Sequence, residues 1–278
     1  MIGIFVNPRA GKGKALQIKA EVENVLQKKN ILFTTYTDIW PEHLHLLTEA
    51  WVIGGDGTLN FFINTYRNIN MPLVIFKGGT GNDFAWKLYG NCTTEEQISL
   101  VLSGQPKRVD AAICNDKIFV NSVGIGFDGE VLRSMGAIRK IGGHLGYLWV
   151  VIKKIFTFRE FSFNISTGDQ QSNKKYLLVN IANAPRTGGG FLISPAAEIN
   201  DGKLNMILCK PLSLIQRLRF LPVIEKGKHL SLPFIHHQNV QHTTIYCANI
   251  IYAQLDGELI SDCQFKISIL PGYFLFKF

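Results

Sequence analysis

The sequence predicts an α/β domain followed by a β-rich one, and three observations carry the prediction. Short apolar runs alternate with helical periodicity through about residue 110, as in a mainly parallel sheet covered on both faces. Three of those runs end in glycine-rich turns. Beyond Asp110, β-rich segments follow one another with few helices between them, which suggests an antiparallel sandwich-like or barrel-like unit. The boundaries are 1–112 for the α/β domain and 113–270 for the β-rich domain, with 271–278 returning to the first.

Along the first domain, Ile2 to Val6 reads as a strand stopped by Asn7-Pro8. Ala15, Ile18, Val22, Val25 and Leu26 recur at helical spacing, and Ile31 to Tyr36 is a second β-rich run. A helix is expected after Pro41, since proline suits a first helical turn. Trp51 to Ile53 is a buried strand leading into Gly54-Gly55-Asp56-Gly57, followed by helical spacing at Leu59, Phe62, Ile63 and Tyr66. Leu73 to Phe76 leads into Gly78, Gly79 and Gly81, and Thr93 with Glu96 forms a capping box for a helix through Leu102.

In the second domain, the segments Phe119 to Val123, Phe161 to Ser166, Tyr176 to Ala182, Leu204 to Cys209, Thr243 to Tyr246, Ile250 to Leu255 and Phe265 to Leu270 read as strands. Helices are expected over Gly146 to Phe158 and Leu212 to Ile224.

Composition narrows the function. The 278 residues are 46% hydrophobic and 18% charged, which excludes a disordered or fibrous chain. Lys and Arg number 29 against 21 Asp and Glu, a net charge of +8. That basic balance favours phosphate-bearing partners without choosing among them. Mean hydropathy is +0.12. Yet the longest apolar candidate, Leu145 to Ile152, stops at Lys153-Lys154, short of the roughly 20 residues a span needs. MIGIFVNP lacks the features of a signal peptide. Five cysteines without C-x-x-C spacing read as reduced thiols rather than metal ligands.

The glycine turns are Asn7-Pro8-Arg9-Ala10-Gly11-Lys12-Gly13, Gly54-Gly55-Asp56-Gly57-Thr58 and Gly78-Gly79-Thr80-Gly81-Asn82-Asp83. Ligands of open parallel sheets bind at the strands' carboxyl ends, where glycine lets the backbone and free N–H groups approach a phosphate. Neither a P-loop nor a Rossmann G-x-G-x-x-G after the first strand is present. Asp56 would repel a phosphate unless a cation lay between them, which suggests Mg²⁺; the plain alternative is an acid that stabilises its own turn.

Taken in order, NPRAGKGKA at 7, Thr37, GGDGTLN at 54, GGTGNDFA at 79, VNSVGIGFDGEV at 120, DGKLNMILC at 201 and LDGEL at 255 resemble the diacylglycerol kinase catalytic-domain family, in its bacterial lipid kinase branch, which also resembles sphingosine kinases. The resemblance implies an ATP- and Mg²⁺-dependent lipid kinase with an α/β nucleotide-binding domain, a β-rich domain and an active-site cleft between them. ATP would be met by Asn7, Pro8, Arg9, Ala10, Gly11, Thr37, Gly54, Gly55, Asp56, Gly57, Thr58, Leu59, Asn60 and Thr80. Asp56 would support the catalytic Mg²⁺, with Asp83 and Asp110 in the carboxylate network behind it. Glu258 would be the general base. Asp201 would hold a second, structural Mg²⁺ with backbone carbonyls near Glu198 and Lys203. For Asp201 the plain alternative is a hairpin turn, and for Glu258 a solvated turn acid.

The sequence departs from the family pattern at Phe61, where an acid is usual, at Trp86, where arginine is usual, and at Lys77-Gly78; Lys77 or Lys87 could supply the missing charge. Apolar stripes beside basic residues suggest that two helices lie on an anionic membrane. One pairs Leu148, Val151, Ile152, Ile155 and Phe156 with Lys153 and Lys154, flanked by Arg139, Lys140 and Arg159; the other pairs Leu218, Phe220 and Leu221 with Arg217 and Arg219. A core helix with a solvated edge is the alternative. His236, His237 and His242 read as surface or loop histidines.

The expected partners are ATP and a lipid substrate, with no nucleic acid. The expected location is the cytoplasm, peripherally at the inner membrane face, and a homodimer is left open. The rivals are a soluble-substrate kinase of NAD kinase type and a catalytically weak nucleotide- or lipid-binding regulator.

Overall fold

A computed structural model of the chain describes residues 1–135 and 144–278, with the backbone alone over 144–147. Arg139 and Lys140 lie outside the described residues. The chain divides into two compact units, Met1–Val109 with Gly272–Phe278, and Asp110–Pro271.

The first unit runs β1 (Ile2–Val6), a short 3-10 turn (Ala10–Gly13), α1 (Lys14–Lys28), β2 (Phe33–Thr37), β3 (Glu49–Gly54), α2 (Asp56–Thr65), β4 (Leu73–Lys77), α3 (Asp83–Tyr89) and α4 (Thr94–Ser103). Strands β4, β3, β1 and β2 lie side by side in that order and all are parallel. The centre of the sheet is apolar without alternation: every residue of β1 is buried, and so are Ala50 to Gly54 of β3 and Leu73 to Phe76 of β4. That is the signature of a sheet covered on both faces. Helix α1 buries Ala15, Ile18, Val22 and Leu26, the spacing the sequence shows. The capping box of α4 is complete: Thr93 accepts the Glu96 N–H, and the Glu96 carboxylate accepts the Thr93 N–H.

The helix expected after Pro41 does not form. Residues 41–48 are irregular, and the Tyr66 hydroxyl pins the Pro41 carbonyl at 2.6 Å, while Leu47, folded inward, is the one buried side chain of the stretch. An isolated apolar run without a helical stripe to bury gains nothing from helix formation.

In the second unit, β5 (Pro106–Cys114), which carries the chain across from the first, forms a hairpin with β6 (Lys117–Phe119). There follow β7 (Ser122–Gly126), α5 (Phe127–Met135), α6 (His144–Thr157), β8 (Phe161–Thr167), β9 (Gln170–Tyr176), β10 (Leu178–Ala182), β11 (Leu204–Cys209), α7 (Leu214–Glu225), β12 (Ile235–Val240), β13 (His242–Leu255) and β14 (Glu258–Lys277). The antiparallel order is β12-β11-β10-β7-β13-β14, with β8 also on β13 and β9 on β8. A single apolar core joins these strands, Phe119, Ile125, Phe163, Val179, Met206 and Phe265 among its members.

Two expected strands, Thr243 to Tyr246 and Ile250 to Leu255, are one strand broken by a bulge between Tyr246 and Ile251. Phe119 to Val123 is instead divided between β6 and β7. His236 and His237 lie in β12 rather than in a loop, and His242 begins β13; each ring has its own polar partner, Gln238, Asn205 and Ser268.

The five cysteines are free thiols, and burial pushes Cys114, Cys209 and Cys247 up to about 12, which leaves them unreactive. Among the described residues no helix is long and apolar enough to cross a membrane.

Candidate active site

The glycine turns of the first unit follow β1, β3 and β4, three neighbouring parallel strands, so all three lie at one edge of the sheet. They also touch through backbone. A Cβ at Gly79 would collide with the Gly55 Cα, and a Cβ at Gly11, whose φ is +59°, would collide with the Gly78 carbonyl. Only glycine permits this approach. Side chains complete the assembly: the Asn7 amide donates to Thr58 Oγ1 at 3.0 Å, and the Asp56 carboxylate accepts the N–H groups of Asp83 and Phe84 at 3.1 and 3.0 Å. Asp56 thus caps α3 and ties the second turn to the third. Burial is the larger influence on that carboxylate and pushes its pKa up, against the pull of those N–H donors.

Around this frame, Pro8, Ala10, Gly11, Gly55 and Gly57 are half-buried, while Arg9 and Thr80 are exposed. Thr37 ends β2 beside Val6. Leu59 and Asn60, in the first turns of α2, are buried at 1% and 5% exposure. Lys77 is committed elsewhere, since its ammonium donates to the carbonyls of Gly90 and Cys92 at 2.6 and 3.1 Å. Lys87 lies in the last turn of α3, the end opposite the glycine turn.

In the second unit, Glu258 opens β14 directly after a two-residue turn, Asp256-Gly257, whose φ values of +48° and +85° suit a tight hairpin. Glu258 itself is exposed. Its turn is held from behind. Buried Asp256 accepts the N–H groups of Val120, Asn121 and Ser122 at 2.8, 3.0 and 2.9 Å. The Gln254 amide donates to Ser122 Oγ and Thr187 Oγ1, while its carbonyl accepts the Gly257 N–H at 3.1 Å. The motifs at 120 and 255 are therefore one buried polar network.

Asp110 belongs to the second unit, where its carboxylate accepts the Gly202 N–H at 2.7 Å. Asp83, buried at 3% exposure, is the member of the expected carboxylate set that the structure brings to Asp56. Asp201 is exposed and accepts the N–H of Lys203 at 3.0 Å, the bond of an ordinary Asx turn; Glu198 and Lys203 are exposed as well. Among the described residues no group of three or more His, Cys, Asp or Glu side chains could hold a metal. Mg²⁺, however, is commonly held by one or two carboxylates together with substrate phosphates and water. Asp56 fits that role as a half-buried carboxylate among the three turns whose charge burial disfavours, a charge that a cation there would offset.

The sequence reading passed over a pocket under α5, α6 and α7. It is narrow and open to solvent on one side, and Phe127, Val151, Leu178, Phe191, Leu212 and Leu221 help line it. Thr187 of the polar network, Asp128 and Arg217 are its polar members. The Asp128 carboxyl is pushed up to about 6 by burial, with only a long 3.5 Å contact from the Asn180 amide opposing. Arg217 forms a close ion pair with Glu160.

Three glycine turns lie on one parallel sheet edge of the first unit, and the second unit is an antiparallel sheet; both have counterparts among known families. Residues 1–114 match the family model of the diacylglycerol kinase catalytic domain, and residues 121–276 match that of the YegS C-terminal NAD kinase beta sandwich-like domain. The chain belongs to this diacylglycerol kinase-like family of lipid kinases.

It is 27% identical over 245 residues to a diacylglycerol kinase of Mycobacterium tuberculosis, covering 82% of this chain and 78% of that one. It is 25% identical over 226 residues to a "probable lipid kinase YegS-like" of Chromohalobacter salexigens, covering 79% and 72%. Among solved structures, a diacylglycerol kinase from Bacillus anthracis str. Sterne superposes with a TM-score of 0.73 at 20% identity, covering 100% of this chain and 96% of that one. A second chain from the same strain gives 0.83 at 24%, covering 100% and 94%. At these identities the structural likeness speaks for the fold.

Proposed function

We propose that the protein is an ATP- and Mg²⁺-dependent lipid kinase that phosphorylates a hydroxyl of diacylglycerol or a related lipid. The observation that carries the lipid acceptor is the apolar pocket of the second unit: its polar member Thr187 is linked through Gln254 to Gly257, next to Glu258. A pocket of this kind takes an acyl chain and leaves the hydroxyl to the polar end.

In the reaction, the Glu258 carboxylate accepts the hydroxyl proton as the lipid oxygen bonds to the γ-phosphorus. The bond from that phosphorus to the bridging oxygen breaks in line, and ADP leaves. The amides and side chains of the three turns hold the phosphates, with Arg9, Lys12 and Lys14 as nearby cations. Mg²⁺, held through Asp56, would neutralise phosphate charge.

Attachment to a membrane is proposed to be peripheral, at its cytoplasmic face. Trp149, Ile152 and Phe156 of α6 and Ile215 and Leu218 of α7 are exposed, while Val150, Val151 and Ile155 face the core. Lys153, beside Trp149, is exposed, as are Arg159 after α6 and Arg219 on α7, whereas Lys154 is paired with Glu130 at 2.7 Å, so Lys153, Arg159 and Arg219 are the cations offered to lipid headgroups. Binding to anionic vesicles that does not weaken with salt would remove this part of the reading.

The deciding experiment is incubation with labelled ATP and a total lipid extract. A labelled lipid is expected. In a parallel incubation with NAD, labelled NADP without any labelled lipid would replace the reading by the soluble-substrate kinase, and no ATP consumption with either would replace it by a binding protein.

A further inference from the structure

Phe61 stands where the family pattern has an acid, and it is a large aromatic side chain left 62% exposed. Its neighbours show that it is more than a stray surface residue. The Trp40 ring lies 5.4 Å from it at an interplanar angle of 56°. Trp40 is in turn backed by two fully buried rings, Phe5 at 5.6 Å and Phe62 at 5.7 Å, both edge to face. The pair is therefore an open aromatic surface on a rigid base.

Its position gives the surface an occupant. Trp40 follows Thr37 by three residues, and Thr37 pairs with Val6, the residue before the first glycine turn. Phe61 lies one helical turn beyond Thr58, on the same side of α2, and Thr58 is the residue that Asn7 bonds across the turns. Each ring thus follows by three residues a threonine of the glycine-turn region, Trp40 after Thr37 and Phe61 after Thr58. A nucleotide whose phosphates occupy those turns carries a flat base beyond its ribose.

We propose that Phe61, braced by the tilted Trp40 ring, forms the base platform of the nucleotide site, and that the purine ring of ATP stacks on the Phe61 face. The inference rests on the nucleotide reading of the first unit and adds how the base is held. Phenylalanine offers no hydrogen-bond partner to a base edge, so the contact recognises the ring face.

The test compares binding of ATP with binding of inorganic tripolyphosphate, which has no base, by calorimetry on the full chain. Phe61→Ala should weaken ATP about tenfold or more, the usual consequence of removing one stacking partner, and should leave tripolyphosphate within about twofold. Phe61→Tyr should retain ATP affinity within about threefold, since the ring face is kept. As Phe61 is exposed, these variants should fold, and unchanged melting confirms it. Equal loss of both ligands in Phe61→Ala would mean that the turns were disturbed, and unchanged ATP affinity would mean that no base rests there; either overturns the platform. Unchanged ATP affinity with lost binding to anionic vesicles would overturn it too and make the patch a membrane surface. Wild-type protein that binds neither ligand overturns the nucleotide reading and the platform together, an outcome distinct from failure of the platform alone.

Discussion

Asp56 and Asp256 occupy turns of similar sequence, Gly-Asp-Gly and Leu-Asp-Gly, and both carboxylates accept backbone N–H groups from distant segments. The surroundings differ. Asp56 lies among three turns whose backbones touch through glycine, and it accepts N–H groups at the start of α3. Asp256 is 3% exposed and takes three N–H groups from Val120 to Ser122; the exposed acid nearby is Glu258. The turns of the first unit are joined largely through backbone, with Asp56 half-buried among them. The second unit holds its turn with buried side chains, so one acid fixes the turn and another is presented.

The largest expected effect tests the presented acid. Glu258→Gln keeps shape but cannot take the acceptor proton. Turnover should fall by about 10²–10⁴ while ATP affinity, measured by calorimetry, is unchanged. Turnover within about threefold of wild type would exclude Glu258 as the base, as that is under 1 kcal/mol of barrier.

Asp56→Asn should cost about 10²–10³ in turnover, the typical loss of one electrostatic anchor. It should also lower the melting temperature modestly, because an amide NH₂ would face either the Asp83 or the Phe84 N–H. A loss of stability with near-normal turnover at saturating Mg²⁺ would make Asp56 a turn acid only, like Asp256.

How much of this contrast could be read from the sequence follows from the range of each interaction. The glycine turns were legible because only glycine tolerates backbone contact, as at Gly79 against Gly55, and the requirement is local to each motif. The capping box at Thr93 was legible for the same reason. The role of Asp256 was not, because its partners lie 134 to 136 residues away. Strand β9, Gln-Gln-Ser-Asn-Lys-Lys-Tyr, escaped because only its final tyrosine is buried, so no alternation marks it. Helix α5 was hidden inside a motif. The α6 stripe was read as one face, but neighbouring helices divide it into a buried side and an exposed one, a decision that tertiary packing makes.

Asp256→Asn sharpens the comparison from the other side. An amide can accept at one oxygen only, which leaves at least one of three buried N–H groups facing an NH₂. A loss of about 2–4 kcal/mol is expected. That lowers the melting temperature by several degrees, at about 2–4 °C per kcal/mol for a domain of this size. Turnover should fall only as far as Glu258 is misplaced, with ATP affinity kept. Unchanged melting would show that the network does not hold the turn.

The smallest expected effect concerns a third acid, Asp128, which has neither the N–H donors of Asp256 nor the glycine turns of Asp56. Burial beside the apolar pocket raises its pKa from 3.8 to about 6. A carboxyl raised on folding binds its proton more tightly in the native state, so its contribution to stability is full below pH 3.8 and is lost as pH rises through 6. The full loss is about 3 kcal/mol, at 1.36 kcal/mol per pKa unit, and roughly half of it falls between pH 5 and 7.5. Asp128→Asn removes this dependence while keeping the shape. The melting temperature of the variant relative to wild type should therefore be higher at pH 7.5 than at pH 5, by about 3–5 °C. The same difference at both pH values, or one larger at pH 5, would show that the carboxyl is not held in a desolvated state. Asp128 would then have to be grouped with Asp256, as an acid whose charge the fold compensates.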